Sequence, residues 1–221
     1  NKITIESPIL SDNINKVSIK IDENIIKDSR KSVIGIFDPE ENNFNLNMWL
    51  NSDGEDIKRI LKRINKLKLS KLSENLLFQV LFTNAYPPKT NLNSEDFLKI
   101  KINWLIEKNR VQDLEILLEK NPEAGQNSEA IIFLINEYLA STDIKSACEK
   151  INFIDRELQN SYLEKFTIYC LIHNDQKDEA QLIFDLIKER GFKDKFFEDK
   201  INFLLGITDS TEQKILDNNL F

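Results

Sequence analysis

The sequence has few of the residues that usually build a chemical site. Its 221 residues include one His and two Cys, too few for a disulfide framework or an ordinary closed zinc site. Five glycines leave no room for a glycine-rich phosphate loop, and five prolines exclude a Pro/Gly-rich low-complexity chain. No apolar run approaches the roughly 20 residues that a membrane-spanning helix needs. Composition therefore predicts no cofactor, no metal and no transmembrane segment.

What is present fits a folded, acidic protein. Hydrophobic residues make up 41% of the chain and include 14 Phe, which suffices for a packed core. The net charge of −7 argues against nucleic acid as a partner, because the phosphate backbone is itself anionic. The chain begins with Asn1 rather than Met, and we interpret this either as a trimmed sequence or as the removal of an upstream segment such as a targeting leader.

Hydrophobic patterning and charge divide the chain into three regions. In 1–48, short runs such as Val17-Ile19-Ile21 alternate with polar residues, which predicts an extended N-terminal arm that drapes over the helices. Residues 49–91 carry 8 positive and 4 negative side chains, and we expect a basic helical hairpin there. Residues 92–221 carry 16 positive and 25 negative side chains and are predicted to form a helical-repeat domain.

The basic hairpin has an apolar pattern with helical spacing. In its first helix the apolar residues predicted to share one face are Ile57, Ile60, Leu61, Ile64 and Leu67. A second helix is predicted over 71–84, with apolar positions that include Leu72, Leu76, Leu77, Val80 and Leu81. Tyr86-Pro87-Pro88 ends it, because proline lacks the backbone N–H.

The most distinctive feature is a run of seven cations within residues 58–71. Such a run is typical of a patch that contacts an anionic membrane surface or an acidic partner. The residues that we predict to make this contact are Lys58, Arg59, Lys62, Arg63 and Lys66. Two alternatives stay open: a solvated helix face, or a face that docks on the acidic residues of 92–221.

From Ser94 onward the sequence predicts consecutive short helices, near 95–108, 111–120, 128–140, 143–151, 157–173, 176–190, 194–205 and 210–218. Their connections are short, so we expect antiparallel helical hairpins. A shift of 33 residues aligns the hairpins without gaps and superimposes the turns at Asn109, Thr142 and Asp175. Equivalent apolar positions predicted to be buried are Leu105, Tyr138 and Leu171, and then Leu118, Ile151 and Phe184; the small residues Ala147 and Ala180 are predicted to lie at close helix contacts.

This period and pattern resemble the tetratricopeptide-like helical repeats over about 95–206. The copy most similar to that family runs from Ile168 to Gly191, with Ala180 after a short polar turn. It differs from the family in its period of 33 rather than 34, and the first copy has Leu114 in place of the small residue. The resemblance implies an all-α fold, an α-solenoid of helix hairpins, and binding of another protein or peptide.

A second resemblance covers Met48-Trp49, the Ile57–Arg63 helix and the stretch from Leu77 to Pro88. These segments are similar to an uncharacterised group of alphaproteobacterial proteins that are generally exported. This resemblance implies a location in the bacterial periplasm or cell envelope rather than the cytoplasm, and it implies no activity.

Three functions remain open at this point. The first is a non-catalytic interaction or scaffold protein, which would need a contiguous exposed apolar groove. The second is a peripheral adaptor that binds an anionic surface through the basic helix. The third is a helical hydrolase that uses one of the carboxylate pairs, although Glu55-Asp56 and the other pairs lie where helix starts favour acids. We interpret Cys148 and Cys170 as buried free thiols, with a disulfide as the alternative in an exported protein.

Overall fold

The computed structural model describes residues 33–155 and 158–209, apart from the side chain of Glu123. The described part contains nine α-helices and three short 3₁₀ segments, and its extended residues pair only through isolated bridges. The helices are α1 (Gly54–Ile64), α2 (Lys71–Phe82), α3 (Ser94–Glu107), α4 (Val111–Lys120), α5 (Ser128–Ala140), α6 (Ile144–Glu149), α7 (Ser161–His173), α8 (Lys177–Glu189) and α9 (Lys195–Leu205). The 3₁₀ segments are Glu40–Asn42, Pro122–Gln126 and Lys150–Phe153. The prediction of an all-α protein is confirmed over these residues, while the extended arm predicted over 1–32 and the helix predicted near 210–218 fall outside them.

Side-chain caps set most of the helix starts. Asn93 accepts a hydrogen bond from the backbone N–H of Asp96 at 2.7 Å, and Asp194 accepts from Phe197 N–H at 3.0 Å. Asn160 accepts from Tyr162 N–H and Leu163 N–H, so α7 begins at Ser161 and not near 157 as predicted. Such caps satisfy backbone donors that have no partner within the helix.

Three helix pairs share one turn geometry. Asn109, Thr142 and Asp175 connect α3 to α4, α5 to α6 and α7 to α8, and have φ values of 50°, 61° and 63°. In each turn the next residue donates its backbone N–H to a carbonyl five residues earlier: Arg110 to Leu105 at 2.9 Å, Asp143 to Tyr138 at 2.9 Å and Gln176 to Leu171 at 2.8 Å. This left-handed helix end closes each pair into a hairpin. The geometry therefore recurs at the three positions that the sequence assigns to turns.

The core consists of three clusters that follow one another along the chain. The first extends from Ile34 to Leu134, the second from Ile131 to Cys170 and the third from Ile168 to Ile201. Helices α5 and α7 each supply residues to two neighbouring clusters, because side chains around a helix point in several directions. The first cluster also takes in α1 and α2, so buried apolar contact is continuous across residue 92.

Most residues predicted to be buried are buried. Leu105, Leu171, Leu118 and Phe184 are in the core, and Ala147 and Ala180 are fully enclosed. Tyr138 and Ile151 are only partly buried. For Tyr138 the reason is its hydroxyl, which donates a hydrogen bond to the Glu115 carboxylate at 2.8 Å.

The extended segment Ile34–Phe37 is held by both backbone and side-chain donors. The N–H of Ile36 donates to the Phe82 carbonyl at 2.7 Å, at the end of α2. The Lys101 ammonium of α3 donates to the Ile34 carbonyl at 2.6 Å, and Lys120 and Asn121 donate to the Ile36 and Gly35 carbonyls at 2.6 and 3.2 Å. Residues 34–37 are thus held between α2 and the α3–α4 hairpin.

Candidate functional site

An apolar groove lies where α9 passes the turn between α5 and α6. It encloses a cavity of about 470 Å³ with Tyr169 of α7 among its lining residues. The other lining residues are mainly apolar and include Leu139, Ile144, Phe196, Phe197, Ile201 and Leu204. We call this surface the α9 groove. Its size is that of a pocket for apolar side chains.

The polar groups at the rim of the α9 groove have structural partners. The Asp194 carboxylate caps α9 and forms an ion pair with Lys165 at 3.4 Å. Thr142 adopts the left-handed conformation of the α5–α6 turn, and its hydroxyl donates to the Ser141 carbonyl at 2.6 Å. These contacts hold the groove in shape, and the groove itself offers mainly apolar contact.

The five predicted anion contacts all lie on α1 or just after it, but they differ in their partners. Lys58 pairs with Glu55 at 2.9 Å and Arg59 with Asp56 at 2.6 Å, within the same helix. Lys62, Arg63 and Lys66 are exposed, and the structure as described gives them no ion pair or side-chain hydrogen bond. None of the five forms an ion pair with an acidic residue in the described parts of 92–209.

A second cleft separates the five cations into two groups. Lys58, Lys62 and Lys66 line a cleft of about 500 Å³ between α1 and α3, together with apolar residues such as Leu61 and Ile100. Arg59 and Arg63 are not among the residues of this cleft. Glu107 also lines the cleft and accepts a hydrogen bond from Asn65 at 3.3 Å. The negative charge of its carboxylate lowers the net positive charge of the cleft.

The apolar face predicted for α1 is only partly buried. Ile57 and Leu61 pack in the first core cluster, but Ile60 and Leu67 are exposed. On α2, Phe78 and Leu81 are buried, while Leu72 and Leu76 are exposed. The apolar residues at helical spacing on these two predicted helices therefore differ in burial. α1 ends at Ile64, so Leu67 lies beyond the helix in the connection to α2.

Exposed leucines and lysines alternate around this connection. Leu67, Leu72 and Leu76 are 61%, 81% and 59% exposed. Lys66, Lys68 and Lys71 lie between or next to them in the chain and are exposed as well. We call these six residues the corner patch. The lysines of this patch are visible in the sequence as part of a basic run. The exposure of its leucines is not, because apolar residues at helical spacing usually indicate a buried face.

The cysteines form a disulfide, so their interpretation as free thiols is wrong. Cys148 of α6 and Cys170 of α7 are bonded, with their Cα atoms 5.4 Å apart. The bond therefore joins the α5–α6 hairpin to the α7–α8 hairpin. Both cysteines fall on neighbouring predicted helices, but no feature of the sequence indicates how far apart their side chains lie.

The carboxylate pair at the start of α1 has a structural role. Glu55 and Asp56 each pair with a cation one turn later. Asp53 before them accepts hydrogen bonds from Glu55 N–H at 2.8 Å and the Asn91 amide at 2.6 Å, and the first of these does most to lower the pKa of Asp53. These are the contacts of a helix start, where the dipole favours negative charge.

Two further kinds of site are absent from the described residues. No cluster of three or more His, Cys, Asp or Glu side chains has the arrangement to hold a metal ion. No helix in the described ranges has the length and apolar character to cross a membrane. In comparisons with known proteins, no family model, curated protein or solved structure matches the chain.

Proposed function

We propose that the protein is a non-catalytic interaction or scaffold protein that binds another protein or peptide through its helical hairpins. The α9 groove is the observation that carries this proposal. It is mainly apolar, large enough for several side chains, and its polar rim residues Asp194 and Thr142 already have partners. An apolar groove at a protein surface commonly marks an interaction site.

The arrangement of hairpins supports a short α-solenoid with tetratricopeptide-like units as the framework. The recurring left-handed turns at Asn109, Thr142 and Asp175 and the succession of three core clusters both fit units that stack on their neighbours. In such an array a groove can extend over several units. The α9 groove is lined by residues of α5, α6, α7 and α9, so it brings together the α5–α6 hairpin, α7 and α9.

A groove variant with a matched control tests this proposal. Leu204 lines the α9 groove, whereas Leu182 on α8 is exposed and does not line it. We expect Leu204→Asp to lose proteins captured by cross-linking from a lysate of the source organism, while Leu182→Asp retains them. Thermal unfolding should show both variants folded. Equal capture by the two variants would contradict the proposal.

A second function, a peripheral adaptor for an anionic surface or acidic partner, is favoured by Lys62, Arg63 and Lys66, which form no ion pair with any residue that the structure describes. Replacing Lys58, Arg59, Lys62 and Arg63 with Gln should abolish binding to polyglutamate and leave the fold intact. Binding by the wild type should weaken steeply with salt, because exposed charges are screened over about 10 Å at 0.1 M ionic strength. Unchanged binding by the quadruple variant at low salt would exclude the basic helix as the contact.

We further propose that the protein functions in an oxidising compartment such as the bacterial periplasm or cell envelope. The Cys148–Cys170 disulfide supports this location, because disulfides persist in exported proteins and are rare in a reducing cytosol. The resemblance to exported alphaproteobacterial proteins points the same way. Thiol titration of protein taken directly from its native compartment tests this proposal, and two free thiols there would contradict it.

A further inference from the structure

We propose that the corner patch docks on a membrane surface that contains anionic lipid, with its leucines in the apolar edge of the bilayer and its lysines at the headgroups. This rests on the second proposed function and identifies its partner as lipid. The patch consists of the six residues defined above, at the connection between α1 and α2.

The leucines of the patch are placed for insertion. Leu72 and Leu76 are one helical turn apart on α2 and therefore lie on the same face. Leu67 precedes them in the connection, and each of the three keeps more than half of its surface exposed. Burying three such side chains at the bilayer interface is favourable in proportion to the apolar area that leaves water.

Three lysines flank these leucines, against one acidic neighbour, Glu74. Lys66, Lys68 and Lys71 are exposed and form no ion pair with any residue that the structure describes. The nearest acidic residue in the chain, Glu74, is directed to another partner, because it pairs with Lys108 of α3 at 3.6 Å. The lysines are therefore available to anionic headgroups, and each contributes roughly fivefold to membrane affinity.

The shape of the patch favours lipid over a protein partner. Neither the α9 groove nor the α1–α3 cleft includes Leu67, Leu72 or Leu76 among its lining residues. Protein interfaces usually centre on residues seated in pockets of matching shape. Leucines outside these two pockets and flanked by lysines suit a lipid surface, where acyl chains can surround the leucines and anionic headgroups can contact the lysines.

Co-sedimentation with vesicles tests the proposal with the full chain. The probes are vesicles of equal parts phosphatidylcholine and phosphatidylglycerol, and vesicles of phosphatidylcholine alone. We expect the wild type to bind the anionic vesicles. Lys66→Gln, Lys68→Gln and Lys71→Gln together should weaken binding roughly a hundredfold, at about fivefold for each lysine. Leu67→Ser and Leu72→Ser together should weaken it roughly tenfold, and this loss should persist at high salt.

Matched controls come from exposed residues outside the corner patch. Leu182 and Leu186 on α8 are 61% and 48% exposed, so Leu182→Ser with Leu186→Ser removes similar apolar surface. Replacing the exposed lysines 145, 177 and 193 with Gln removes the same charge. We expect both control variants to bind like the wild type. If the control lysine variant loses as much affinity as the corner variant, binding depends on net charge and the proposed patch is wrong.

The outcome separates this proposal from the one on which it rests. The wild type could fail to bind anionic vesicles and still bind polyglutamate, with that binding lost in the Lys58, Arg59, Lys62 and Arg63 quadruple variant. This result would overturn the lipid proposal and support the acidic-partner function. If the wild type binds neither, both are overturned. Circular dichroism of each variant shows whether the helices remain formed.

Discussion

Reduction of the Cys148–Cys170 disulfide is expected to lower the free energy of unfolding by several kcal/mol. The bond closes a loop between residues 22 positions apart, which corresponds to an unfolded-chain entropy loss of about 11 cal/mol/K, or about 3.4 kcal/mol at 25 °C. Both cysteines are buried, so a reductant reaches the bond mainly through the unfolded chain. Urea unfolding at equilibrium, with and without dithiothreitol, measures the difference as a shift of the midpoint.

The control for this prediction is the double variant Cys148→Ala/Cys170→Ala, whose stability should not respond to dithiothreitol. The variant itself should be less stable than the oxidised wild type, because it loses the cross-link and two buried sulfur atoms. Two results would refute the reasoning. One is an identical urea midpoint for oxidised and reduced wild type, and the other is the release of two titratable thiols when the protein is denatured without a reductant.

Three further predictions concern the core and the fixed N-terminal segment. Phe184→Ala should cost about 3–5 kcal/mol in urea unfolding, because Phe184 is fully packed in the third core cluster; a cost below about 1 kcal/mol would contradict that packing. Gly35→Ala should lower the thermal midpoint, since an added Cβ would lie 2.6 Å from the Asn84 backbone nitrogen; an unchanged midpoint would show that this contact relaxes freely. Burial lowers the pKa of Lys101 from 10.5 to about 7, so the unfolded chain binds more protons between these values. The free energy of unfolding should therefore rise with pH from 7 toward 10, by up to about 1.4 kcal/mol per pH unit, and Lys101→Met should remove this rise in urea titrations.

Local sequence patterns predicted the hairpins well. The bounds of α4 and α5 coincide with the predicted 111–120 and 128–140, and the turns at Asn109, Thr142 and Asp175 adopt the same left-handed conformation. These features depend on neighbouring residues, through helix periodicity and capping, and so they can be read from short stretches of chain. The start of α7 was misplaced, because the capping side chain of Asn160 ends the preceding irregular segment.

The candidate surfaces were harder to predict. The basic run on α1 is visible in the sequence. Which of its cations line the α1–α3 cleft depends on where α3 packs, because Lys58, Lys62 and Lys66 line the cleft while Arg59 and Arg63 do not. The α9 groove draws residues from α5, α6, α7 and α9, which no local pattern brings together. Lys101 at a fully buried position is a similar case, because its partner is the carbonyl of Ile34, 67 residues earlier.

The sequence by itself determined which segments are helical, where the chain turns, and that positive charge concentrates on one helix. Each of these depends on backbone conformation and residue type over a few positions. Only the tertiary structure decided which apolar residues of α1 and α2 are buried, since that depends on which helix packs against them. It thereby exposed Leu72 while burying Phe78, joined Cys148 to Cys170, and placed the Lys101 ammonium inside the core. These outcomes depend on distances between residues far apart in the chain. Such distances are set by how the helices pack and cannot be read from neighbouring residues.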